Sequence, residues 1–324
     1  MAISLIDTFR VLASFDPPRG SLRGAPWEAY VDWAIAQGLA PLASYNLEYR
    51  LAGGADAPEW ARDRLLSIYS GSVNDNVMKL VNFKRCVDEL EGRQLLIMGG
   101  AAFADTLYPH VGFRPVLEIS MLLRRMDVDA FAGYLAQHQF RPEPDEPAHG
   151  AVKVVSDGRT PIFLYADVLG AERRTEVQGI FERAKPMRMY GPSIFRPDLE
   201  DAVLLVCLEQ AREGYQMPWL SYLDLRELMT GATSMGSVYS RPVNVAILLE
   251  RAKAWRLERA LYTSLSILAR LFPSMAESLK PALPPLRRAT RELLERLVVV
   301  PASEPGKMSH VRGSERLRRL LTGQ

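Results

Sequence analysis

The chain is 324 residues long, 48% hydrophobic and 24% charged, with a formal net charge of +2. These are the proportions of an ordinary soluble globular chain, and the length allows one to three domains. A strongly basic nucleic-acid surface over the whole molecule is excluded.

Two cysteines, Cys86 and Cys207, stand far apart, and the four histidines, His110, His138, His149 and His310, lack ligand spacing. That pattern excludes a disulfide framework and a zinc site and suits a reducing, cytoplasmic setting. Met1–Asp16 is too short and too interrupted by charge to read as a secretory signal. No apolar run reaches the ~18 residues of a membrane span.

Residues 1–92 read as helical. Trp27–Gln37 is amphipathic behind a proline-containing start, and Pro58–Glu91 is a long helical stretch with Gly71 as a break point. The pattern then changes. Leu95–Met98 is a short apolar run of the length of a buried strand. Gly99 and Gly100 follow at once, and two glycines permit a sharp turn and the close approach of a ligand or another backbone. Ala101–Tyr108 has helical spacing, with Ala102, Phe103 and Leu107 facing inward, and Pro109 ends it.

Val116–Leu123 alternates with the strand period. Leu117, Ile119 and Met121 share one face; Val116, Glu118, Ser120 and Leu122 share the other. A carboxylate in an otherwise apolar strand is costly to bury unless it is paired or binds a metal, so Glu118 needs a reason. Beyond a helix at Phe131–His138, the acidic, proline-rich Pro142–His149 reads as an exposed loop. Ala151–Ser156 reads as a short strand. Thr160–Leu169 is a further apolar strand with Asp167 near its end. If it pairs beside Val116–Leu123, Glu118 and Asp167 converge at one edge.

Helix resumes behind Asp198, an expected N-cap, and Val203, Leu204, Val206, Cys207 and Leu208 are expected in the core. Gly231–Arg241 reads as a linker, and Pro301–Gln324 as a loose tail with a short basic helix. From Glu277 onward the chain carries ten Lys and Arg against five Asp and Glu. Arg316, Arg318 and Arg319 sit there among leucines. That segment is either a docking element for a partner, an anionic surface or RNA, or a solvated tail.

Several blocks together resemble the family of uncharacterised nucleotidyltransferases, a branch of the polymerase-beta-like superfamily. They are Pro41–Leu51, the GGAAFADTLYP core block followed by Arg114 and the VLEISMLL strand, Leu204–Met229, and Val245–Leu271, in an order that spans roughly residues 25 to 275. The resemblance implies an α/β (α+β) fold, a small mixed-sheet core flanked by helical regions. The expected divisions are 1–92, 93–197, 198–298 and a basic tail at 299–324.

It also implies magnesium-dependent transfer of a nucleotidyl group from an NTP. Carboxylates there hold the metal that clamps the triphosphate oxygens. Carried onto this chain, Glu118 and Asp167 take the catalytic and metal-ligating positions, Gly99 and Gly100 approach the triphosphate, Arg114 steadies a phosphate, and Ser120 lines the nucleotide site. Asp224 in YLDLREL matches the family pattern. The family's Lys-Gly pair is here Gly99–Gly100, its Asp-x-Asp is Glu118 and Ser120, and its helical histidines are Glu209 and Glu213.

These departures favour a catalytically degenerate protein that binds nucleotide or a protein partner. The alternative is an active enzyme that transfers a nucleotidyl group to a small molecule, sugar or protein. Each residue also has a structural reading. Glu118 pairs with Arg114 or Arg124, Asp167 caps a strand end, Ser120 is a satisfied hydroxyl, and Asp224 ties helices to the core by an ion pair.

Overall fold

The computed structural model describes residues 3–13, 22–50, 56–87, 94–143, 151–187, 193–231, 239, 241–299 and 310–311. The amino-terminal helices are α1 (Leu5–Leu12), α2 (Trp27–Ala36), α3 (Ala40–Tyr45) and α4 (Glu59–Val87). Gly71 does not interrupt α4, whose 29 residues run unbroken. The strand-containing region follows as β1 (Leu95–Met98), α5 (Gly99–Thr106), β2 (Ile119–Leu122), α6 (Arg125–Gln137), β3 (Arg141–Pro142), β4 (Ala151–Val155), β5 (Ile162–Tyr165), α7 (Arg174–Arg183), β6 (Lys185–Pro186) and β7 (Ile194–Arg196). Then come α8 (Leu199–Arg212), α9 (Trp219–Thr230), α10 (Val245–Ala254), α11 (Glu258–Leu271), α12 (Ala276–Leu279) and α13 (Arg288–Leu297). A short hairpin, β8 (Val298–Val299) with β9 (His310–Val311), lies beyond the expected core.

The seven strands β1 to β7 form one mixed sheet in the order β3-β4-β5-β2-β1-β7-β6. β1 runs antiparallel to β2 and parallel to β7, and β2 runs parallel to β5. Side-chain alternation divides the core into two faces. Leu95, Ile97, Ile119, Met121, Ile162 and Leu164 pack with Phe131 and Leu135 of α6 and with Leu80 and Phe83 of α4. Leu96, Met98 and Leu122 point the other way, into the larger cluster built around α8, α9 and α11.

Asp198 caps α8 as expected: its Oδ1 accepts from the Leu199 amide at 2.7 Å. The same turn is an ionic fastener. Buried Asp201 receives Arg183 at 3.0 Å and Arg251 at 2.9 Å, and Arg241 reaches Glu200 at 2.6 Å. The helix is thereby tied to α7 and α10 at the end remote from the glycine turn.

Element lengths differ from expectation where polar or bent segments flank an apolar run. The strand expected at Val116–Leu123 spans Ile119–Leu122, and the one expected at Thr160–Leu169 spans Ile162–Tyr165. The Gly-Gly helix starts at Gly99 itself, and the helix expected at Phe131–His138 begins six residues earlier. Most of the expected loop at Pro142–His149, the linker at Gly231–Arg241, the tail at Pro301–Gln324 and the division near residue 92 lie outside the described residues.

Candidate functional site

The face of the sheet beside β2 meets the carboxyl end of α8 around Gly99. The meeting point is set by register: Ser120 lies opposite Met98, the last residue before the Gly99 turn. Alternation carries Glu118 and Ser120 to the α8 side of the sheet, together with Leu122. Ser120 Oγ donates to Glu118 Oε1 at 3.1 Å. Burial holds the Glu118 carboxyl above the usual range, against the Ser120 hydrogen bond and the positive charge of Arg114. On β5 the residues in register with Ser120 and Leu122 are Phe163 and Tyr165. Paired residues of adjacent strands share a face, so the second strand adds an aromatic pair here.

The approach to β2 is fixed by α4. Asn76 Nδ2 donates to the carbonyls of Val111 and Arg114 at 2.6 and 2.7 Å, and its Oδ1 accepts from the Val116 amide at 2.9 Å. Lys79 Nζ adds a bond to the Val116 carbonyl at 2.8 Å. This segment therefore delivers Arg114 at one defined place. Its guanidinium meets Asp224 of α9 through Nε at 3.1 Å to both carboxylate oxygens and through Nη2 at 2.8 Å. Tyr108 Oη donates to the same carboxylate at 2.7 Å. A methyl group built on Gly100 would stand 2.7 Å from Arg114 Cζ, so the guanidinium lies directly over the glycine turn.

The opposite side is α8. A methyl group on Gly99, whose φ is +59°, would lie 3.9 Å from Glu209 Oε2. Burial first, then the negative charge of Glu118, pushes the half-buried Glu209 carboxyl up to about 7, while Arg114 opposes the shift. The Tyr165 hydroxyl is pushed up to about 12 by burial and by the charges of Glu118, Glu209 and Glu213. Arg212, one turn along α8, donates to the Val168 carbonyl at 2.5 Å. The site thus brings a part-buried acid–hydroxyl pair, a clamped arginine and a glutamic acid with a raised pKa around the glycine turn.

Gly99, Gly100, Arg114, Glu118 and Ser120 are therefore gathered in one place, and Asp167 is not. Extending the β2–β5 register puts Pro161 beside Glu118, and Asp167 lies six positions further on, roughly 20 Å along the strand direction. Asp167 pairs instead with Arg125 at 2.8 Å and Arg174 at 3.7 Å. The expected convergence of Glu118 and Asp167 is corrected accordingly. Arg114 pairs with Asp224 rather than with Glu118, which is the helix-to-core tie expected of Asp224.

Magnesium requires several oxygen ligands in near-octahedral geometry. The neutral Ser120 hydroxyl is spent on Glu118, and Asp167 points elsewhere. Among the described residues no group of three or more His, Cys, Asp or Glu side chains is arranged to hold a metal ion. The residues present do not fit a carboxylate-held magnesium. Sequence reasoning set Glu209 and Glu213 at the positions of the family's helical histidines without giving them a role, and it did not single out Tyr165 or Arg212. The local signal for the glutamates was their i,i+4 spacing at the carboxyl end of α8, with Glu209 in the helix and Glu213 at its C-cap.

The fold is a mixed α/β one: a sheet entered by strand, glycine turn and helix, with a helical layer over the turn. The chain belongs to the family described as uncharacterised nucleotidyltransferase, whose model matches residues 23–273. Among solved structures, an antigenic nucleotidyltransferase-like protein from Paracoccidioides brasiliensis is similar at 15% identity and a TM-score of 0.38, over 65% of this chain and 94% of that one. No curated protein matches the chain. Among the described residues no helix is long and apolar enough to cross a membrane.

Proposed function

We propose that this family member is catalytically degenerate and uses this site for binding, as a nucleotide- or protein-binding scaffold or regulator. The observation that carries the reading is the pairing of Ser120 with Phe163 across β2 and β5. In metal-dependent nucleotidyl transfer, clustered carboxylates hold the ion that neutralises the triphosphate and the developing charge. Here one of the two strands offers Glu118 bonded to Ser120, and the other offers aromatic rings. The Arg114 guanidinium over Gly100 supports the same reading, because it covers the backbone that a triphosphate would approach. Asp224 already neutralises that guanidinium, which leaves it poorly suited to attract a phosphate.

The test is titration calorimetry with each NTP as its non-hydrolysable analogue, with and without magnesium, beside a turnover assay with the natural NTPs. The expected result is no turnover and no dependence of binding on the metal. Magnesium-dependent binding that Glu118→Ala abolishes, together with turnover, would return the chain to the reading of an active transferase.

A further inference from the structure

At the far end of the same strands, some six residues beyond Glu118, a concavity of about 570 Å³ opens. It lies past the carboxyl ends of the parallel strands β2 and β5, where α6 and α7 begin. We propose that it binds a small phosphate monoester with a flat apolar body, independently of whatever the Gly99 site does.

The volume falls within the ~300–1,000 Å³ of ordinary small-molecule sites. Its lining has two parts. Val177 and Phe181 of α7, with Leu123 and Met126, form an apolar wall. Arg124, Arg125 and Arg174 form a cationic rim around one carboxylate, Asp167. Three guanidinium groups against one carboxylate leave two positive charges, which matches a phosphate dianion.

Arg125 and Arg174 are the first residues of α6 and α7, whose amino-terminal dipoles add positive potential that Asp127 and Glu176 in the same first turns partly offset. Both side chains are more than half exposed and are drawn toward the groove by Asp167, at 2.8 and 3.7 Å. Asp167 thus gathers both guanidinium groups at one side of the groove. Planar guanidinium groups bind carboxylate and phosphate oxygens alike in pairs; the second charge and third terminal oxygen of a phosphate monoester are what two such forks would select. The Arg124 guanidinium lies over the buried Phe181 ring, 5.6 Å from its centre, so the outer face of that guanidinium is what a flat body would stack on.

The experiment is calorimetric titration of the full chain with 1-naphthyl phosphate, 1-naphthoate, inorganic phosphate and 1-naphthol. The phosphate ester is expected to bind most tightly. Arg125→Gln and Arg174→Gln should each weaken it about ten-fold, the loss of one charge-assisted contact. Asp167→Asn should strengthen binding by removing the competing carboxylate, and Glu209→Gln in the Gly99 site should leave it unchanged. The exposed arginine variants are expected to keep the parent melting temperature, which circular dichroism checks. No saturable binding up to millimolar ester, equal binding of 1-naphthol or 1-naphthoate, or a loss caused by Glu209→Gln with the arginine variants unaffected, would each overturn the proposal.

Discussion

Asp224 grips the Arg114 guanidinium with both of its oxygens, at 2.8 to 3.1 Å, across 110 residues of sequence. The pair is nearly dry, with 13% of the arginine and 3% of the aspartate side chain exposed. Tyr108 completes the carboxylate's shell. A buried pair that loses one partner leaves an uncompensated charge in the interior. Asp224→Ala should therefore destabilise the protein by about 3–5 kcal/mol, read as a lower urea midpoint at unchanged slope. Tyr108→Phe, which removes one hydrogen bond to a charged group, should cost about 1.5–3 kcal/mol. An Asp224→Ala cost within 0.5 kcal/mol of zero, the range of a neutral surface substitution, would mean that the clamp does not hold the helices to the core.

The same clamp makes Gly100 a packing position. Its place is set by the guanidinium, and the side chain that would have to yield is held at three points. Gly100→Ala should cost about 1–3 kcal/mol, the usual range for forcing extra volume into a packed site. In an Arg114→Ala background the added methyl has room, so the cost should largely vanish. The double-mutant cycle would then report a coupling of roughly 0.5–3 kcal/mol. Additive losses would show that the two residues do not meet.

Glu209 gives the site a pH dependence of stability. Its native pKa, about 7, stands above its ordinary value of 4.5, because burial and then Glu118 disfavour the charged form. Between those two pH values the native chain holds a proton that the unfolded chain has released. The contribution is full below about 4.5 and is lost as pH rises through about 7. Glu118 is shifted in the same direction. Partial exposure screens the effect, so a loss of about 1–2 kcal/mol is expected across that window. Urea unfolding at closely spaced pH values should show the slope in the parent and a flatter profile in Glu209→Gln. An unchanged slope in the variant would assign the titration to another group.

The parts of this fold that were legible in the sequence are those that local physics decides. Leu95–Met98 is a strand to the residue because an apolar run stops at two glycines. Asp198 is a cap because a short acceptor stands just before an apolar helical pattern. Even the face that carries Glu118 and Ser120 follows from alternation. Register does not, because no local signal fixes which residue of one parallel strand stands beside which residue of the next. The pairing of Ser120 with Phe163 moved Asp167 out of the site and into the groove beside Arg125 and Arg174. Arg114 has a similar history: a near neighbour in sequence, Glu118, looked like its partner, while packing of α9 on the sheet brought in Asp224 instead.

That register also shows how a metal site would be rebuilt. Adjacent strands are about 4.8 Å apart, and residues in register project to the same side. Placing Asp at positions 118, 120 and 163 would bring three carboxylates to one patch of the β2–β5 face, beside the glycine turn. Oxygen ligands in that number, completed by water, suit magnesium. The combined variant Glu118→Asp, Ser120→Asp and Phe163→Asp should bind magnesium measurably by calorimetry, and the parent should not. Crowding three like charges should also destabilise the metal-free variant, and saturating magnesium should recover part of that loss, as for any ligand that binds the native state alone. Failure to bind the ion in a variant that still folds would show that Arg114 and Glu209 leave no room for it, and that the departures extend past the ligands to the shape of the site.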